Sequence, residues 1–208
     1  MSRPAVHDAG EMLDAALALL REGGPRAVTM TAVAAATGAP SGSVYQRFPS
    51  RDALLASLWM RTVEDFQAGF LAALEGSTRA RDVREEDAAA PAEAALRAIR
   101  WALKWVRSDP DSARLLLLYR REDLVSSEWP AEIVWRAAAL AERFDEAVRA
   151  FATHLEGKDA LARAWFVLAD LPTAGVRRHL ANGQPVPRSV DHVLAQTVQS
   201  LLGSPGGR

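Results

Sequence analysis

The sequence predicts an all-α protein of about nine helices, with a small N-terminal domain at residues 1–52 and a larger helical bundle at residues 53–208. Apolar residues recur at the three- and four-residue spacing of a helix face, and no stretch shows the strict alternation typical of a strand. Glycine, proline and hydroxyl residues fall where these periodic stretches begin and end. With 208 residues, of which 49% are hydrophobic, the chain can bury a substantial core.

The composition excludes several classes of protein. The chain has no cysteine, and its four histidines share no local metal-ligand spacing. It contains no Gly-x-Ser-x-Gly elbow, no phosphate-binding glycine loop and no His-Glu-x-x-His motif. No apolar run reaches the length of a membrane span, and the N-terminus lacks the apolar core of a signal peptide. We therefore predict a cytoplasmic protein that is not an enzyme and that binds no metal, cofactor or membrane.

A first helix is predicted near residues 8–22, and the segment that follows it has the spacing of a helix-turn-helix. Thr29 is placed to cap the second helix. Ala34 is small enough for two helices to cross steeply, and Gly38 tolerates the positive φ of the turn between them. Val44 supplies an apolar anchor for the third helix. Such an element carries a helix into the major groove of DNA.

The remaining helices form a longer series. Ser50 is placed to cap a fourth helix whose apolar stripe continues to Leu74, so this helix links the two predicted domains. A polar linker is predicted at residues 76–87. The fifth helix has one narrow charged stripe and is otherwise apolar, which predicts a place in the middle of a bundle. The fifth to ninth helices are predicted near residues 90–107, 109–119, 130–154, 159–181 (interrupted at Pro172) and 188–202.

Residues 42–55, GSVYQRFPSRDALL, make the helix-turn-helix specific. They closely resemble the signature of the TetR family of bacterial transcriptional regulators, and upstream positions from Gly24 to Gly38 match that family's pattern without a gap. The motif match covers about residues 8–60, and the remaining chain matches in length and helical character only. The resemblance implies a homodimer that binds a palindromic double-stranded DNA operator and pairs through the helices near residues 159–181 and 188–202.

Several polar residues of this motif are candidates for DNA contact. The resemblance implies phosphate contacts at Ser43, Tyr45 and Arg51, and operator-dependent contacts at Ser41, Gln46 and Arg47. Glutamine pairs with adenine and arginine with guanine, so the last two side chains are the best base readers. The alternative is that Tyr45 is a packed aromatic and Arg47 a solvated surface charge. The full predicted DNA-contacting set is Thr29, Thr31, Ser41, Gly42, Ser43, Tyr45, Gln46, Arg47 and Arg51.

The six tryptophans of the chain suggest a ligand cavity in the bundle. For each of Trp59, Trp101, Trp105, Trp135 and Trp165, core packing is the default interpretation. So many aromatic residues on the fourth to eighth helices together favour a bundle that encloses an apolar cavity. The predicted lining set is Phe66, Trp101, Trp105, Tyr119, Trp135 and Trp165, and the predicted effector is a small apolar or aromatic molecule.

These features predict a sequence-specific transcriptional repressor that its effector releases from the operator. Three alternatives stay open at this point. The first is a ligand-binding or enzymatic helical bundle whose first three helices are structural. The second is an activator or a nonspecific nucleoid protein. The third is a regulator with a solid core and no effector, whose DNA occupancy depends only on protein concentration.

Overall fold

The computed structural model describes residues 8–76, 91–125 and 129–202, and all regular secondary structure among them is helical. This confirms the predicted fold class. The predicted linker, apart from Gly76, lies outside the described residues. The α-helices are α1 Ala9–Gly23, α2 Met30–Thr37, α3 Ser41–Arg47, α4 Arg51–Glu75, α5 Pro91–Ser108, α6 Pro110–Leu118, α7 Arg121–Leu124, α8 Ala131–Ala152, α9 Ala160–Trp165, α10 Leu171–Ala181 and α11 Ser189–Leu202.

Two shorter elements complete this description. A 3₁₀ turn, Pro25–Ala27, precedes α2, and a π-helical segment, Phe166–Asp170, joins α9 to α10. The sequence predicted one interrupted helix for α9, the π segment and α10 together. It did not predict α7, because a helix of one turn is too short to show periodicity.

Side chains cap the N-termini of several described helices, among them α1, α2 and α4. Asp8 accepts a hydrogen bond from the backbone N–H of Gly10 at 3.3 Å, at the start of α1. Thr29 accepts one from Ala32 at 3.1 Å and Ser50 accepts one from Ala53 at 3.0 Å. The predicted caps of α2 and α4 are therefore confirmed, and each bond satisfies a backbone donor that the helix leaves free.

The chain divides into two compact units. One contains the chain up to Val63 together with Tyr119–Ala137, and the other contains Glu64–Leu118 together with the chain from Ala138 onward. Helices α4 and α8 each contribute residues to both units. The functional domain boundary between residues 52 and 53 stays a prediction.

The first unit holds α1 against α2 and α2 against α3. Ala34 and Val44 are buried, and Gly38 has a φ of 67°, the left-handed conformation that the turn was predicted to need. Arg61 of α4 forms an ion pair with Asp14 of α1 at 2.8 Å. The core of this unit consists chiefly of Met12, Leu13, Leu20, Val28, Met30, Val33, Phe48, Leu54, Leu55 and Leu58.

Helix α5 occupies the middle of the second unit, as predicted. It packs against α6, α10, α11 and the π segment, while Arg100 and Lys104 stay exposed on its charged stripe. Arg107 near its end donates to the carbonyl oxygen of Val186 at 3.1 Å and forms an ion pair with Asp191 of α11. The hydrogen bond from Arg107 holds the pKa of Asp191 below its ordinary value, although burial acts in the opposite direction. These bonds fix the start of α11 beside α5.

Pro172 accounts for the change of helix type between α9 and α10. Proline has no N–H and cannot donate to the carbonyl four residues earlier, which belongs to Leu168. Just before it, the N–H of Leu171 bonds to the carbonyl of Phe166, five residues earlier. The wider π turn therefore allows helical structure to continue past the proline. Such turns often occur at functional sites.

Gly69 allows α4 and α5 to approach closely. A Cβ atom at this position would lie 1.9 Å from Cζ2 of Trp101, so the indole ring rests directly on the backbone of α4. The Trp101 ring also lies 5.6 Å from the ring of Phe66, between centroids. A side chain larger than hydrogen at residue 69 would displace the tryptophan.

We predict that Gly69→Ala destabilises the protein. Alanine in a helix interior is worth up to about 1 kcal/mol relative to glycine, but overpacking against a ring costs about 1–3 kcal/mol. The free energy of unfolding in urea, at one fixed protein concentration, should therefore fall by about 1 kcal/mol or more. Gly42→Ala is the matched control, because a Cβ there meets open space and should leave stability unchanged or raised. A Gly69→Ala protein as stable as the unmodified one would contradict this packing.

Candidate functional site

Helix α3 is anchored by one buried residue and exposes polar side chains to solvent. Val44 is fully buried and fixes the helix on its unit, whereas Tyr45 is 52% exposed. Gln46 and Arg47 are exposed as well. The exposure of Tyr45 argues against the alternative that it is a packed core aromatic. The seven residues of α3 therefore offer a phenol, an amide and a guanidinium together to solvent.

The residues before these three are arranged around the start of α3. Ser41 and Gly42 are exposed and Ser43 is half-buried. A Cβ atom at Gly42 would meet nothing within 4 Å, so the surface there is open. The N–H of Ser43 is taken by the carbonyl of Pro40 at 2.9 Å. Ser43 therefore has its hydroxyl, and not its backbone N–H, available for an external contact.

The two threonines of the predicted set lie at the start of α2. Thr29 and Thr31 are exposed, and their hydroxyl oxygens are 3.1 Å apart. Thr29 is already engaged as the cap of α2, so part of its hydrogen-bonding capacity serves the fold. Thr31 is the freer of the two for an external contact.

Arg51 has a structural role that the sequence did not indicate. Its Nε donates to the carbonyl oxygen of Val28 at 2.8 Å and its Nη2 to that of Pro25. Its Nη1 reaches the carboxylate of Asp52 at 3.4 Å. These bonds use three of the five N–H groups of a guanidinium and leave two for any phosphate. Arg51 thus ties the start of α4 to the segment before α2.

The second unit contains an apolar cavity of about 140 Å³. Its walls come from α4, α5, α6, α8, the π segment and α10, and Thr173 is the polar residue among them. The lining residues are Phe66, Phe70, Ala102, Leu103, Trp105, Val106, Leu116, Leu117, Phe144, Leu168, Ala169, Pro172, Thr173 and Val176.

Two of the six residues predicted to line a pocket, Phe66 and Trp105, belong to this wall. Trp101 packs beside the same core without lining the cavity, and Trp165 lines a separate open groove. Tyr119 belongs to the other unit and is not a wall residue.

Trp135 is also in the other unit, and core packing is wrong for it because its side chain is 78% exposed. On this turn of α8, Ile133 and Ala137 point inward and are buried, so the intervening Val134 and Trp135 face solvent. Trp59, in contrast, is half-buried and meets Trp129 edge-on, with ring centroids 5.3 Å apart.

The sequence reasoning missed most of the cavity wall. Phe70 and Phe144 lie on helices that the sequence predicted, but periodicity marks an inward-facing residue without distinguishing a packed core from a cavity wall. Pro172 was recognised only as an interruption. The π segment that places Leu168 and Ala169 at the cavity could have been suspected from this proline.

Within residues 8–76, 91–125 and 129–202, no group of three or more His, Cys, Asp or Glu is arranged to hold a metal ion. No helix in these ranges combines the length and the apolar character that a membrane crossing requires.

The model of the N-terminal domain of "Bacterial regulatory proteins, tetR family" matches residues 12–58. A comparison with curated protein sequences gives no significant match. The chain does share its fold with solved structures over nearly its whole length. One is a bacterial regulatory protein in the TetR family from Rhodococcus RHA1, with a TM-score of 0.69, 16% identity, and coverage of 97% of this chain and 98% of that one.

Two others show how varied the proteins with this fold are. The transcriptional regulator FadR from Bacillus subtilis, solved in complex with stearoyl-CoA, gives a TM-score of 0.67 at 14% identity, covering 94% of this chain and 98% of its own. The superantigen PfiT gives 0.68 at 20% identity, covering 98% and 100%. At these identities the likeness establishes the fold, and function has to be argued from the site. Residues 12–58 thus match the model of the tetR family of bacterial regulatory proteins, and the chain as a whole shares its fold with solved transcription regulators of that family.

Proposed function

We propose that the protein is a sequence-specific DNA-binding repressor that a small apolar or aromatic molecule releases from its operator. The observation that carries the DNA-binding part is the exposed trio Tyr45, Gln46 and Arg47 on a helix anchored by buried Val44. No Asp or Glu occurs between Gly23 and Arg51, so no carboxylate of this segment repels the phosphate backbone.

The three exposed side chains have different roles in the proposed recognition of DNA. The Gln46 amide can form paired hydrogen bonds with adenine and the Arg47 guanidinium with guanine, in the major groove. The Tyr45 hydroxyl suits a flanking phosphate, which positions the helix without reading sequence. Arg51 contributes mainly by holding the segment that precedes α2, with two N–H groups left for a phosphate.

A helix of seven residues reads few base pairs, so a two-fold dimer on a palindrome is proposed. Among its described residues, the second unit has three large apolar side chains that are exposed in the single chain: Leu161 and Phe166, each 44% exposed, and Val193, 60% exposed. They belong to α9, the π segment and α11, which are the elements that the family resemblance assigns to dimerisation. Pairing through these helices would remove this apolar surface from water.

Release by a ligand is proposed to act through α4. Phe66 and Phe70 of this helix form part of the cavity wall, and Arg51 at its first position holds the segment before α2. A ligand shifts an equilibrium only by its differential affinity for the two states. About 100-fold tighter binding to the state that does not bind DNA is worth roughly 2.7 kcal/mol, which suffices to clear an operator at modest occupancy.

The first prediction separates the two arginines. Duplexes selected from a random pool serve as the operator, and their affinity is measured at low and moderate salt. Arg47→Ala should lose about 1–3 kcal/mol on the selected duplex and relax the consensus at one or two positions, with an unchanged unfolding midpoint. Arg51→Ala should weaken all duplexes alike and lower the free energy of unfolding by about 1–3 kcal/mol, because the partly buried carbonyls of Val28 and Pro25 lose their donors.

Arg100→Ala, an exposed arginine on α5, is the matched control and should change neither DNA affinity nor stability. The assignment is overturned if Arg51→Ala relaxes the consensus more than Arg47→Ala does.

The second prediction concerns assembly. Phe166→Glu would place a carboxylate inside the proposed interface, so the dimer dissociation constant should rise at least about thirtyfold, as judged by light scattering over a dilution series. Val134→Glu is the control, because Val134 is 49% exposed but lies on α8, outside the proposed pairing helices. Dissociation by Val134→Glu together with an intact Phe166→Glu dimer would place the interface elsewhere.

A further inference from the structure

An open groove on the second unit has a polar lining, unlike the apolar cavity. Gln67 of α4 lines it together with Glu142, Asp145 and Arg149 of α8. Phe144 and Trp165 supply its aromatic surface. The groove therefore combines an amide, two carboxylates and one guanidinium with ring faces.

Phe144 is the residue that the groove and the cavity share in their linings. Its ring lies between one wall of each: the centroid is 5.8 Å from that of Phe70, in the cavity, and 5.6 Å from that of Trp165, in the groove. A single aromatic side chain therefore borders both the cavity and the groove.

Gln67, which lines the groove, has a buried acceptor atom. Its Oε1 is inaccessible to solvent and accepts no hydrogen bond from the described residues. A buried polar atom without a partner costs about 1–3 kcal/mol, so such atoms call for an explanation. A ligand with an N–H or O–H donor would satisfy it.

The charges of the groove favour a cationic donor. Asp145 and Arg149 form an ion pair one helical turn apart, which leaves Glu142 as the surplus negative charge. A second carboxylate or a phosphate would meet this negative charge and an acceptor oxygen, and an ammonium group would meet two complementary partners.

We propose that the groove is the head-group compartment of the cavity and that the effector is a small aromatic amine. Its ring occupies the cavity and its ammonium group donates to Gln67 Oε1 near Glu142, with Phe144 turned aside. The size of the cavity supports this class, since a dry cavity of about 150 Å³ binds benzene and the one here is about 140 Å³. This inference rests on the proposed effector cavity and specifies what the cavity binds.

Four probes that share a phenyl ring and a two-carbon chain test the inference by calorimetry on the full chain, without DNA. Phenethylamine carries a cation, phenethyl alcohol a neutral donor, phenylpropanoate an anion, and ethylbenzene no head group. Phenethylamine should bind at least about tenfold more tightly than phenylpropanoate and ethylbenzene, as expected for a hydrogen bond to a charged group. The alcohol should lie between the amine and the anion.

The variant Gln67→Leu keeps the side-chain volume and removes the acceptor. It should weaken phenethylamine binding about tenfold and leave ethylbenzene binding unchanged. Gln184→Leu is the matched control, because this exposed glutamine lines neither the cavity nor the groove and should affect no probe. Phe144→Ala, which removes the side chain that borders both spaces, should accelerate association of the amine in stopped-flow measurements.

The possible failures are distinguishable. If ethylbenzene binds but the amine binds no better than the carboxylate, or if Gln67→Leu leaves amine affinity unchanged, the head-group assignment is wrong while the effector cavity stands. If none of the four probes binds, the proposed effector cavity is wrong and the inference falls with it.

Discussion

The continuity of helix α4 is the constraint on which the rest of this structure depends. Its 25 residues begin at a cap from Ser50 and contribute to both compact units. Its first part buries Leu54 and Leu55 in the core that supports the helix-turn-helix, and a later part supplies Phe66 to the cavity wall. In the proposed mechanism a ligand in the cavity acts on a helix that also contributes to the unit with the helix-turn-helix.

The cavity lowers the packing density of the second unit. Side chains that line such a cavity lack packing partners on one side, so they contribute less stability than they would in a close-packed core. Larger side chains at small wall residues such as Ala102 would fill part of it. The π segment before Pro172 forms part of the wall, so the chain departs from regular α-helical geometry at the cavity. Both departures from regular packing and geometry occur at the site where we propose that the ligand binds.

Local signals predicted the helix-turn-helix well, because each acts within a few residues of its effect. The Thr29 cap and the left-handed turn at Gly38 are of this kind. Tertiary partners could not be predicted in the same way. Arg51 was recognised as a basic residue, but its acceptors are carbonyls 23 and 26 residues earlier. Trp135 was expected in a core because of its residue type. On this turn of α8, however, the buried residues are Ile133 and Ala137. Phe144 shows the corresponding limit of periodicity, which does not separate a packed position from a cavity wall.

The most direct test is the thermodynamic coupling between the cavity and DNA. The dissociation constant of a fluorescein-labelled duplex, selected from a random pool, is measured by anisotropy without ligand and at saturating concentration of a small aromatic ligand whose binding calorimetry has established. The account predicts that saturation raises this constant at least about tenfold. It also predicts that DNA weakens ligand binding by the same factor, because linkage is reciprocal. An unchanged DNA dissociation constant at demonstrated ligand saturation would contradict it.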